Sequence, residues 1–399
     1  MKNRTLTSIL SMPALMLSSQ AFSAIEPASI EAGPVRIVPT LNVETSYDDN
    51  IFSSTTAEVD SLKMAVTPQF EIIAEDGFNA YKASYAMSHG TYKSSSDDNY
   101  TDHQVGLDAH LEFNARNTLD LNTAYSKNHE ERGTGITETG SIGAGVDAPL
   151  EYDTKSVSFS YTYGADNATG RLVLAGQYTD KEYQNFRSIT EERDNEETSF
   201  SGTFFYRIQP KTSLLFEIRN QNLNYKTDPT NSLDSETQRY YIGATWEGTA
   251  KTTGTIKLGT VKKDFKSSAR EDFSGSSWEV GINWKPLTYS TFNLATSQSE
   301  KESSGTGDFI DSQTIRLSWT HDWNDQVQTI FSSGFTNDDY KGTTGGREDD
   351  ITDASINLNY DIRRWLSIGM GYSHQNTDSN TVGIPFDRNI YLISITGSL

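Results

Sequence analysis

The chain has 399 residues, no cysteine, and 54 acidic against 33 basic side chains, for a formal charge of −21. That excludes disulfides and thiolate metal sites, and the charge argues against nucleic acid as a partner. Hydrophobic residues make up only 35% of the chain, low for a packed globular core, yet 20 Tyr, 18 Phe and 6 Trp are too many for an acidic disordered chain.

The first segment reads as a secretory leader: Lys2 and Arg4, an apolar stretch Ile9–Leu17 interrupted by Pro13, then small residues up to Ala24. Cleavage after Ala21 or after Ala24 is expected, so the leader is 1–24. Its removal takes away Lys2 and Arg4 and moves the formal charge from −21 to −23. No later apolar run approaches the roughly 20 residues a membrane helix needs.

A short lead (25–34) precedes alternating segments that continue to the C-terminus. In Val35–Tyr47, Ile37, Leu41, Val43 and Tyr47 oppose Arg36, Thr40, Asn42 and Glu44. Gln104–Asn114, Ser156–Tyr163, Trp278–Trp284 and Ala354–Arg363 repeat the pattern. Period two is the period of a strand. The connections alternate between short turns and long acidic loops at about 48–60, 94–100, 129–153, 185–197, 227–236, 266–272, 299–309, 337–351 and 375–386. Turns at one end and long loops at the other are the signature of an outer-membrane barrel. The expectation is one all-β, antiparallel, up-and-down transmembrane barrel over 35–399, with 16–18 strands. Aromatic residues near strand ends, such as Tyr47, Tyr163, Trp284, Trp323 and Trp365, fit the two interfacial girdles.

The last strand, Asn389–Leu399, places Tyr391, Ile393, Ile395 and Leu399 on one face. An apolar edge needs a partner, and pairing with Val35–Tyr47 closes the barrel. On the face assigned to the lumen fall Arg171, Arg207, Arg219, Arg239, Lys257 and Arg316, with Glu44, Asp108, Glu112, Asp120, Glu217, Glu247 and Glu279. Such rows either set ion preference or pair with one another, and both readings stay open. Inward aromatics are few: Phe205, Tyr241 and Tyr289.

The acidic loops raise the question of a bound divalent cation, but none has the spacing of a calcium loop, so no metal is expected. The six histidines (89, 103, 110, 129, 321, 374) show no HExxH spacing, and neither a cofactor nor an enzyme activity is expected. The partners expected are outer-membrane lipid, lipopolysaccharide and the barrel-assembly machinery. No feature sets an oligomeric state.

Tyr47-Asp-Asp-Asn-Ile-Phe52, and Tyr100-x-Asp102-His103 further on, resemble features of an outer-membrane barrel family, the β-barrel porin 2 type. The likeness spans about 35–399. It implies a Gram-negative outer-membrane channel associated with capsule or exopolysaccharide synthesis, acting in polysaccharide export with a periplasmic partner. It transfers no catalytic residue. A general diffusion porin, or a receptor or adhesin working through its acidic loops, are the other readings.

Overall fold

The computed structural model describes residues 29–398 apart from 139, 166, 229–232, 250, 304–306 and 344. The leader with both cleavage points, and Leu399, lie outside the described residues. The strands are β1 (Ile30–Ala32), β2 (Val35–Asp48), β3 (Ser61–Asp76), β4 (Asn79–Tyr92), β5 (Tyr100–Asn114), β6 (Asn117–Glu130), β7 (Leu150–Tyr163), β8 (Gly170–Tyr183) and β9 (Asn195–Gln209). They continue with β10 (Thr212–Tyr225), β11 (Ser235–Thr249), β12 (Thr252–Phe265), β13 (Phe273–Leu287), β14 (Ser290–Lys301), β15 (Phe309–Asp322), β16 (Val327–Lys341), β17 (Arg347–Arg363), β18 (Leu366–Ser379) and β19 (Phe386–Ser398). β1 folds back on β2, with Ile30 opposite Ile37, so part of the lead joins the sheet. From β2 onward each strand pairs antiparallel with the next, and β19 pairs with β2. The result is a closed barrel of eighteen strands.

The alternation decides which face looks where. Leu107, Phe204, Ile218, Ile242, Leu258, Ile315 and Ile356 are exposed on the outside, while Thr203, Glu217, Arg239, Ser277 and Thr396 are buried on the inside. Exposed apolar side chains on every barrel strand but β14, whose outward Phe292 and Leu294 are half-buried, form a belt that only lipid can cover. Spanning takes about 9–11 tilted residues, and most strands have 14 or 15, so their loop-side ends project beyond the belt. In β8, β11 and β12 the outward row accordingly changes from Tyr178 and Tyr240 to Asp180, Glu182, Glu236, Lys262 and Asp264. Among the described residues the buried apolar cluster lies at the loop end of the barrel, where Ile136 of the 131–149 connection packs with Leu150 of β7 and Tyr183 of β8.

Closure is the expected seam. Tyr391 stands opposite Tyr47, Ile393 opposite Thr45 and Ile395 opposite Val43. Tyr391, Ile393 and Ile395 all face outward and are about half exposed. Asn42 Nδ2 donates to Thr396 Oγ1 at 2.8 Å on the inner side.

Boundaries shift where charge was read as loop. The 337–351 stretch shrinks to 342–346, because β16 and β17 stay paired up to Tyr340 and Arg347. Its carboxylates do not end the ladder, since Lys301 holds Asp338 and Arg347 holds Asp349. The 129–153 loop narrows to 131–149. Lys285-Pro-Leu287, read as a turn, is strand: the turn is Thr288-Tyr289, and Pro286 falls at a register shift where its missing N–H leaves no gap in the ladder. Tyr289 therefore does not line the lumen. Its ring meets His321 edge-on at 5.4 Å, in a row with Trp319 and Trp323. At the two-residue turn in Asp76-Gly-Phe-Asn79, Gly77 takes φ +65°, which suits glycine at the first central position of such a hairpin.

Candidate functional site

The inward face holds paired charges. Arg219 donates to Glu217 Oε1 at 2.6 Å and to Glu279 Oε1 at 2.8 Å. Lys257 Nζ completes the ring, 2.8 Å from Glu217 and 3.0 Å from Glu279. These residues sit on β10, β12 and β13. β11 between them places Gly243 opposite Lys257, leaving room for the long side chains to meet. Tyr241 lies under both cations, at 5.7 and 5.8 Å. Arg316 binds both oxygens of Asp353 at 3.0 Å, and Arg239 is paired with Glu300. His110 bridges Asp120 at 2.6 Å and Glu112 at 3.5 Å.

Not every inward charge is cancelled. Arg171 rests on the Phe205 ring at 4.6 Å, and Arg207 shares its face near the short-turn end. Among the described residues neither forms an ion pair. Glu247 is exposed at that same end. The Asp108 and Asp120 side chains are 39% and 50% exposed, so solvent reaches the interior wall. Among the described residues the geometry thus pairs Arg219, Arg239, Lys257 and Arg316 with carboxylates and leaves Arg171 and Arg207 without one.

At the outer mouth the 131–149 loop is pinned. Ile136 anchors it from within. Arg132 binds Asp98 and covers the Phe52 ring at 4.3 Å. Gly133, at φ +84°, passes so close to the Phe52 carbonyl oxygen that a Cβ would lie 1.7 Å from it. Arg388 bridges Asp48 at 2.5 Å and Glu131 at 3.1 Å. Burial pushes the Glu131 carboxyl up, but Arg388, Lys63 and His129 outweigh it and hold it down at about 2. Farther across, Glu138 meets Arg347 at 2.5 and 3.1 Å. Going β6, β5, β4, β3, β2, β19, β18, β17, that contact spans seven strand positions of an eighteen-strand wall, so the loop crosses most of the opening.

A second crossing comes from the other side. Glu302 takes Lys263 Nζ at 2.9 Å and the Tyr225 hydroxyl at 2.9 Å, and Arg193 donates to the Ser303 carbonyl at 3.0 Å. None of these contacts follows from period two. Arg388 and Arg347 look like ordinary strand-end charges in the sequence, and only the fold shows which loop they reach.

The Tyr47–Phe52 motif has a clear structural task. Asn50 is fully buried and accepts from Ser54 N at 2.9 Å. Its Nδ2 donates to the Ser54 and Asp387 carbonyls at 2.9 and 3.0 Å. Asp49 accepts from Asn389 N at 2.7 Å and from its Nδ2 at 2.8 Å. The motif clasps the end of β2 to the start of β19. In the second motif, Asp102 holds His129 at 3.0 Å, and Tyr100 stacks on that ring at 3.8 Å. Among the described residues no three His, Asp or Glu side chains are placed to hold a metal.

Residues 23–398 match the family described as "Putative beta-barrel porin 2". The chain belongs to this family. Among solved structures it is similar to OccK1 (OpdK) of Pseudomonas aeruginosa, with a TM-score of 0.51 at 12% identity over 91% of this chain and 99% of that one. OccK2 (OpdF) of the same organism gives 0.50 at 9% identity over 91% and 98%. The FrpB iron transporter of Neisseria meningitidis gives 0.46 at 9% over 91% and 82%. No curated protein sequence matches. Family and closed barrel together place the protein in the Gram-negative outer membrane, with a porin-like, channel-like fold.

Proposed function

We propose that this family member is a passive outer-membrane channel for small polar solutes, its outer mouth narrowed by the 131–149 loop. The observation that carries the reading is the Glu138–Arg347 contact across the mouth above an interior whose polar side chains reach solvent. A small solute passes beside such a crossing. A polysaccharide strand would have to part both crossings, and nothing in the geometry favours that export role over diffusion. The test is conductance in planar bilayers. Replacing both partners, Glu138→Gln with Arg347→Gln, frees the loop without stranding one buried charge. The expected result is a conducting wild type and a double variant with conductance raised by about twofold or more. Absence of conductance from both would overturn the channel reading.

A further inference from the structure

The wall has a weak place that its axial lumen does not require. β13 pairs with β14 only from Leu287–Ser290 up to Glu279–Ser297. On either side the ladders run further: β12 with β13 as far as Lys263–Phe273, and β14 with β15 as far as Lys301–Ile310. Phe273–Trp278 on one edge and Gln298–Lys301 on the other therefore face each other without ladder partners. The split starts in the lipid belt. Trp278, just above its vertex, is level with exposed Leu258, and Thr296 is level with exposed Ile315. Two residues higher, Ser276 is level with Tyr240 of the outer girdle through Thr260. An open edge there is costly, because hydrocarbon offers no hydrogen bonds.

Side chains seal the gap in place of backbone. Phe309 packs on Phe273 at 5.1 Å and on Phe265 at 6.1 Å, closing the top. Carboxylates from β14 and the connection after it reach across the gap: Glu300 and Glu302 pass β13 to Arg239 and Lys263, and Asp308 meets Arg270 in the connection that enters β13. Gln298 is 3% exposed inside the seam, and its Oε1 has no hydrogen-bond donor. The seam is thus closed by a latch of anionic groups on a cationic wall, with apolar rings at one end and the lipid belt at the other.

We propose that the upper β13–β14 seam is a lateral port for an anionic amphiphile, which displaces Glu300 and Glu302 from Arg239 and Lys263 with its head while its chain occupies the seam toward the outer leaflet. A ladder of backbone hydrogen bonds cannot be exchanged for a ligand, but ion pairs to a carboxylate can. The seam lies at the depth where the head of such a molecule meets its chain. The port is separate from axial conduction.

Photo-cross-linking tests it. The native protein in non-ionic micelles is irradiated with a diazirine-bearing dodecanoate, and the labelled peptides are identified by mass spectrometry. Labelling is expected within 273–278 and 298–303, to saturate, and to be competed by unlabelled dodecanoate but not by dodecanol. Arg239→Gln with Lys263→Gln should reduce it at least tenfold. Because the chain has no native cysteine, Phe273→Cys with Phe309→Cys gives a clean lock: labelling in the reduced form, loss on oxidation, and axial conductance unchanged by either. Scattered or non-saturating label on the native protein, or equal labelling of locked and reduced forms, would overturn the port. Conductance measured on the same samples separates this outcome from failure of the channel itself.

Discussion

Single side chains set what the lumen prefers and when its mouth opens. Arg171 and Arg207 add positive charge that no carboxylate among the described residues cancels, whereas Arg316 is neutralised by Asp353. Uncancelled charge is what an ion in a pore senses. Arg171→Gln with Arg207→Gln should therefore move the zero-current potential in a KCl gradient toward cation selectivity. Arg316→Gln with Asp353→Asn should leave it in place. Glu131 gives the mouth a pH dependence whose sign is fixed. Its carboxyl lies at about 2 when folded, against a usual 4.5. A depressed carboxylate contributes fully above its ordinary value and loses that contribution as pH falls through the folded one. Conductance should thus stay flat from pH 7 to about 4.5 and rise only on approach to about 2. Glu131→Gln should be raised already at pH 7 and lack the step. An opening midpoint near 4.5 in the wild type would show that Arg388 and Lys63 do not hold this group.

At the scale of elements, the seam between first and last barrel strands depends on a buried clasp. Asn50 uses both its amide oxygen and its Nδ2 inside a site without solvent. Asn50→Ala leaves the Ser54 amide and the Asp387 carbonyl without that partner, at about 1–3 kcal/mol for each buried group unsatisfied. The heat-modifiable transition on a denaturing gel should move to lower temperature, while Asp325→Ala, at an exposed position of a short turn, should leave it within error. The strands themselves were legible because lipid on one side and water on the other impose period two on every one of them. The alternation in Gln104–Asn114 alone gives the faces of β5. The clasp and the mouth were not legible. Asp48-Asp-Asn50 reads locally as a turn, and its partners Arg388 and Asn389 lie about 340 residues away. Acid runs misled for the same reason: Asp338 and Asp349 look like solvated loop until Lys301 and Arg347 arrive from other strands. Tyr289 falls in a turn and not on the lumen face because Lys285-Pro-Leu287, turn-like in composition, stays in the strand.

The whole molecule is an inside-out protein, and that is its most demanding prediction. Half-exposed Ile393 and Ile395 alternate with Ser394 and with Thr396, which is buried, along one strand, so neighbouring positions meet opposite solvents. In a water-soluble sandwich, an arginine at Ile393 would be nearly harmless and one at Ser394 would disrupt a core. In this barrel the order reverses. Arginine on the lipid face near mid-membrane costs about 2–4 kcal/mol, whereas the lumen admits water and already carries charge on its wall. Ile393→Arg should lower the urea midpoint of the folded barrel in bilayers or reduce the amount assembled. Ser394→Arg should fold near normally and announce itself in conductance. The same contrast holds between Leu258, exposed outward, and its neighbour Lys257, already charged inward, so the test can be repeated on the opposite wall. Equal tolerance at both members of each pair would mean that no lipid belt surrounds the barrel, and with it the membrane assignment would fail.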